Sequence, residues 1–233
     1  MIGILIILGA SWLLLFFLEK KNLSVLGFTP LSKRILQLLL GFVFIIVLYS
    51  LLILAETFIL TIEWEFNKSF DLSSLAGSLW YHTKSALTED LIFRGAILYI
   101  LANRFSNKVA ILASTIIFGI YHWFSYGMFG SGIVPMVYIF IITGTTGAVW
   151  AYSYFKTNSI FLALGFHIGW NFVSTLFFDN QPYGELLFQQ ISLTPLSEWG
   201  NFFFQFGRGL APSLITYIFV RSVYKEKQSM IYP

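Results

Sequence analysis

The chain has no cysteine, and only 11% of its 233 residues are charged. The first absence removes disulfides, thiolate metal sites and a cysteine nucleophile, although it says little about redox compartment. The second removes the solvated surface that a soluble domain of this length needs. No long polar stretch is left over for a second unit, so one integral membrane domain over residues 1–233 is expected. The net charge is only +3, and no basic patch with interleaved aromatics of the kind that tracks nucleic acid is present. A nucleic-acid partner is not expected. There is no repeat of solenoid period, and the short His-Glu-x-x-His spacing of helical zinc proteases is missing.

What the chain has is apolar length. Hydrophobic residues make up 57%, with 26 phenylalanines, and the mean hydropathy is +0.77. Seven segments approach the length of about 20 apolar residues that spans a bilayer: 2–18, 35–60, 76–101, 109–124, 133–155, 159–178 and 202–220. The expectation is an all-α polytopic transmembrane bundle of about seven or eight helices. An eighth, re-entrant or interfacial helix has room in 181–199, where Pro182, Gly184 and Pro195 forbid a continuous span. The first segment lacks a basic start and is followed by Lys20 and Lys21, so it reads as a retained helix rather than a signal peptide.

Charge sets the orientation. Placing the amino end outside gathers Lys20, Lys21, Lys33, Arg34, Arg104, Lys108, Lys156, Arg221, Lys225 and Lys227 on one side and leaves Lys68 opposite. By the positive-inside rule the crowded side, with the carboxyl end, is cytoplasmic. The setting is a cell membrane crossed several times.

Three polar clusters stand out against this background: Glu89 and Asp90 with Arg94, Phe118 with His122, and His167 with Asn171. An ionisable side chain at mid-bilayer costs about 2.5–3.5 kcal/mol, so it faces a protein interior or a wet cavity. Counting about 1.5 Å per residue from the basic edge puts Glu89, His122 and His167 at roughly 22, 21 and 16 Å, within one slab. Asp90 and Arg94 are one turn apart on a shared face, in the favourable order for an ion pair. Glu89 points about 100° away and is left as a candidate general base. Phe118 packs a ring beside His122, which is placed to hold a water jointly with Glu89. His167 and Asn171 offer two donors on one face, suited to a developing oxyanion. Gly165 and Gly169 beside them let a neighbouring helix come close.

The runs Glu89-Asp90-Leu91-Ile92-Phe93-Arg94-Gly95, Phe118-Gly119-Ile120-Tyr121-His122 and His167-Ile168-Gly169-Trp170-Asn171 resemble the three ordered motifs of the CPBP family, also called Abi. That family groups CAAX prenyl endopeptidases with bacteriocin-processing and self-immunity proteins. The resemblance covers about residues 80–178, and Leu26-Gly27-Phe28 resembles a weaker element after the first helix. It implies intramembrane proteolysis without a cofactor. Glu89 and His122 would hold the attacking water, and His167 and Asn171 would stabilise the oxyanion. The substrate would be a membrane-associated peptide or protein, and the motif-bearing core would be about 76–178. One departure is Asp90, where the family usually has a second glutamate.

Other readings stay open beside this one. Each cluster alone fits a structural role, since buried charges and histidines need partners in any membrane helix. Glu89, His122 and His167 also form a two-histidine, one-carboxylate set that zinc could use. A non-catalytic immunity or scaffold protein would use the same cavity for binding. A small transporter has less support, because no inverted repeat appears. His82, seven residues before Glu89, either lines the access route or is an interfacial histidine beside Trp80 and Tyr81. Arg208 either binds a substrate carboxyl group or pairs with an internal acid, while Glu56 near the far interface is assigned no role. Oligomeric state is not legible.

Overall fold

The computed structural model describes residues 2–179 and 182–224. Among these, eight α-helices follow in the order α1 (Ile2–Glu19), α2 (Leu31–Leu60), α3 (Leu72–Phe93), α4 (Ala96–Arg104), α5 (Asn107–Ser125), α6 (Ile133–Thr157), α7 (Phe161–Phe177) and α8 (Glu198–Val223). Two short strands, β1 (Glu63–Phe66) and β2 (Phe188–Ser192), pair antiparallel. The protein is a helical membrane bundle. Four helical stretches, Ile2–Glu19, Leu23–Leu60, Asn107–Ser125 and Ile133–Thr157, are long and apolar enough to cross a bilayer by themselves. The α7 helix is shorter, and α3 carries a higher share of polar groups because it bears the acidic cluster.

Two expectations change. The single span over 76–101 is two helices, broken at Arg94 and Gly95. A β-carbon at Gly95 would lie 2.1 Å from the Leu91 carbonyl oxygen, so only glycine permits this turn. The break ends the hydrogen-bond ladder, and Ser114 on α5 donates its hydroxyl to the Phe93 carbonyl at 3.2 Å. The second change is the reserved helix in 181–199: residues 188–192 form β2 instead, and Gln181 lies outside the described residues. Its Pro, Gly and Gln content favours extended backbone that finds its partner far away at β1.

Helices α2 and α7 form the tightest pair. A methyl at Gly165 would come 2.2 Å from the Leu38 carbonyl oxygen, and one at Gly41 would come 2.5 Å from that of Leu162. Small residues on both surfaces let the backbones touch, the expected basis of helix association in lipid. Helix α6 packs along α5, and α8 rests mainly on α6.

The two ends of the bundle differ in charge. At one end Arg104 Nε donates to Glu19 at 2.8 Å, joining the ends of α4 and α1. Arg34 is buried and donates to the Thr157 carbonyl at the end of α6 at 3.0 Å. The turn at Gly27 docks there too: its φ is +73°, and its carbonyl accepts from the Ser159 hydroxyl at 2.9 Å. This basic end holds Lys20, Lys21, Lys33, Lys108 and Lys156 as well. Lys225 and Lys227 fall outside the described residues. The opposite, acidic end carries Glu63, Glu65, Asp71 and Glu185 around the two strands. There Asp71 caps α3 through the Ser73 and Ser74 amides. The bonds from the Ser73 and Ser74 hydroxyls and these amides hold the Asp71 carboxyl well below the usual carboxylate range.

Candidate active site

Asp90 is the centre of the polar core. Its Oδ1 accepts from Arg94 Nη1 at 3.1 Å, and both side chains are wholly buried. The same oxygen lies 3.3 Å from His167 Nδ1, across from α7. A carboxylate can only accept, so this contact puts the proton on Nδ1 and turns Nε2 toward Glu89. His167 Nε2 and Glu89 Oε2 are 3.8 Å apart, beyond direct hydrogen bonding. Glu89 is itself largely buried; Ser85 Oγ reaches its other oxygen at 3.4 Å, while Oε2 has no hydrogen-bond partner. One acid of the doublet is thus paired with a cation, whereas the other keeps a buried oxygen without a hydrogen-bond partner.

Aromatic rings hold this arrangement in place. The Arg94 guanidinium carbon sits 3.9 Å from the Phe118 ring centroid and 5.0 Å from that of Trp150, so two π faces supplement Asp90 as partners for the cation. Trp150 also lies against the His167 ring, at 4.4 Å between centroids. Phe118 stands edge-on to His122 at 4.3 Å. His122 is buried, and its Nδ1 donates to the Phe118 carbonyl one turn back at 2.8 Å. Since that carbonyl can only accept, Nε2 is an acceptor whenever His122 is neutral. The α3, α5 and α7 motifs thus converge on one core through Asp90, Arg94, Phe118, Trp150 and His167.

Of the other sequence candidates, Asn171 lies half-buried on α7, one turn beyond His167. His82 is buried at 1% exposure, with Nε2 3.3 Å from the Pro182 carbonyl oxygen and its ring edge-on to Tyr81. Arg208 pairs with an internal acid: its Nε reaches Glu56 Oε2 at 2.8 Å. Sequence reading left Glu56 without a role. The signal was the need of each remaining intramembrane charge for a partner of opposite sign. Trp150, which touches both Arg94 and His167, carried no signal, because a tryptophan in an apolar run is the ordinary case. Among the described residues no three His, Asp or Glu side chains converge as a metal-holding group.

With this geometry in view, comparison with known proteins adds one similarity. A family model described as Type II CAAX prenyl endopeptidase Rce1-like matches residues 71–173, a stretch that contains all three motifs. No curated protein and no solved structure gives a match.

Proposed function

Over residues 71–173 the chain is of the CAAX protease-like family, and from that premise we propose that it is an intramembrane endopeptidase that cleaves a membrane-associated peptide or protein with a glutamate-activated water. The observation that carries the proposal is the buried, unpartnered Oε2 of Glu89 lying 3.8 Å from His167 Nε2. A water bonded to both atoms would supply the partner that Oε2 lacks.

In this reading Glu89 removes a proton from the water, and the oxygen adds to the scissile carbonyl carbon. Neutral His122, whose Nε2 accepts, helps orient the water. His167 and the Asn171 amide serve the oxygen that becomes negative, His167 as a donor from Nε2 when both of its nitrogens are protonated. The carbon–nitrogen bond then breaks, and the proton held by Glu89 passes to the leaving amine. The products are a new carboxyl and a new amino terminus, with no covalent intermediate and no cofactor. Asp90 and Arg94 position His167 and do not touch substrate. The Asp90 carboxylate reaches both partners despite its shorter side chain, which supports activity with aspartate at this position.

The two ends of the bundle support an orientation in a cell membrane with the basic end cytoplasmic and the amino end outside. The test is a comparison of membrane peptidomes from cells carrying the wild type and the Glu89→Ala, His122→Ala or His167→Ala variants, each checked for membrane insertion. Cleavage products present with the wild type should vanish with every variant. Normal cleavage by Glu89→Ala would end the proposal, and full biological effect from Glu89→Gln would point to a binding protein instead.

A further inference from the structure

The Glu56–Arg208 ion pair lies outside the proposed chemistry, yet it is a polar tie between α2 and α8 toward the acidic end of the bundle. At the other end the same two helices meet through stacked rings, Phe44 on Phe219 at 3.9 Å, with Phe166 edge-on to Phe219. Between these points the helices touch only sparsely. The seam is thus held at the basic end by ring packing and by the Tyr224 side chain against Gln37, and latched by an ion pair at the other.

Helix α8 is built to yield at the latch. Pro212 lacks the amide hydrogen that would bond the carbonyl of residue 208, so the ladder is interrupted at the arginine itself. Gly207 precedes it, and a β-carbon there would meet nothing within 4 Å. On the opposite side Gly209 rides against α6, where a β-carbon would come 2.5 Å from Ile142. The Tyr138 hydroxyl adds a bond to the Gln205 carbonyl at 3.0 Å. The α6 contact therefore supplies a pivot, and the α2 contact supplies a closure.

Behind the seam is a cavity of about 20 Å³, enough for one water. Ile45, Trp150, Trp170, Pro212 and Ser213 are among its lining residues, drawn from α2, α6, α7 and α8. Trp150 is the ring that lies on His167, so the cavity ends one side chain from the acid and imidazole. On the latch side, Tyr49 stacks on Trp170 at 4.0 Å.

We propose that the α2–α8 seam is the lateral route by which a peptide segment moves from the bilayer to the site, with Glu56 and Arg208 as its latch and the cavity at Trp150 and Trp170 as its throat. This names a substrate path for the proposed protease and rests on that reading for the identity of the cargo. A hydrophobic peptide segment is the occupant, because the rings along this seam are apolar or aromatic, Phe44 and Phe219 at the packed end and Tyr49 and Trp170 on the latch side.

The absence of native cysteine makes the test clean. Spin labels on Phe58→Cys and Phe203→Cys report the latch end of the seam, and labels on Leu39→Cys and Val223→Cys report the packed end. Replacing the pair by Glu56→Gln with Arg208→Gln removes it without stranding a charge. The latch-end distances should move outward and broaden by several ångström, while the packed-end distances stay fixed. Unchanged latch-end distances would overturn the proposal, and this readout does not depend on proteolysis. In the second arm, Glu56→Cys with Arg208→Cys is bridged by a short bis-thiosulfonate reagent. Cleavage of a membrane-embedded substrate should be lost on bridging and should return on reduction. Undiminished cleavage by fully bridged protein would reject the route. A wild type that cleaves nothing would instead sink the protease reading, leaving the label distances to decide the seam.

Discussion

Asp90 and Arg94 meet at 3.1 Å with neither side chain exposed to any degree, at the point where α3 stops and the backbone turns into α4. The pair therefore serves two purposes. It neutralises one acid of the Glu89-Asp90 doublet, and it pins the helix end on which the doublet sits.

Removing one member should cost far more than removing both. Asp90→Ala leaves a buried guanidinium whose Nε and Nη2 already lack hydrogen-bond partners, and a broken buried pair typically costs about 3–5 kcal/mol. Asp90→Ala combined with Arg94→Met should recover much of that loss while activity stays absent. Thermal unfolding in detergent, read beside cleavage, separates the two effects.

The Asn171 amide is proposed as one of two donors to the oxyanion. Asn171→Ala should lower kcat by roughly 10²–10³, the usual loss for one such donor, and leave residual cleavage that Glu89→Ala lacks. Turnover of a reconstituted substrate gives the comparison, and equal loss in the two variants would contradict separate roles.

Glycine positions predict opposite signs. Gly165→Ala forces a methyl against the Leu38 carbonyl oxygen at 2.2 Å and should destabilise the α2–α7 pair by about 1–3 kcal/mol, as overpacking does. Gly207→Ala meets open space and should gain up to about 1 kcal/mol from helix propensity. Denaturant titration in mixed micelles reads both.

Chelation separates carboxylate from zinc chemistry. Activity of the purified protein should be unchanged by prolonged treatment with a strong chelator, and added zinc should not raise it. Loss on chelation with recovery on zinc addition would transfer Glu89, His122 and His167 to a ligand set.

The helical membrane fold was legible because apolar length is a one-dimensional signal, and the i,i+4 spacing of Asp90 and Arg94 was enough to foresee their pairing. Hydropathy could not show the break at Gly95, since the run from Leu91 to Leu101 is apolar on both sides of Arg94-Gly95 and the cause is a clash with the Leu91 carbonyl oxygen. The pairing of Glu63 with Ser192 was hidden for another reason: the strands are short and far apart in sequence. Helical depth placed Glu89 and His167 in one layer without revealing that Asp90 would sit between Arg94 and the imidazole. Glu56 was missed because depth in the membrane was judged for each charge singly, and its partner lies on the last helix.

The small β1–β2 sheet links parts of the molecule that lie far apart along the chain. One strand leads into the helix carrying Glu89, and the other leads, through the segment before Glu198, into the helix carrying Arg208. A force applied to this clip is shared by both helices, so a ligand gripping the acidic face would tug on the proposed general base and on the proposed latch together.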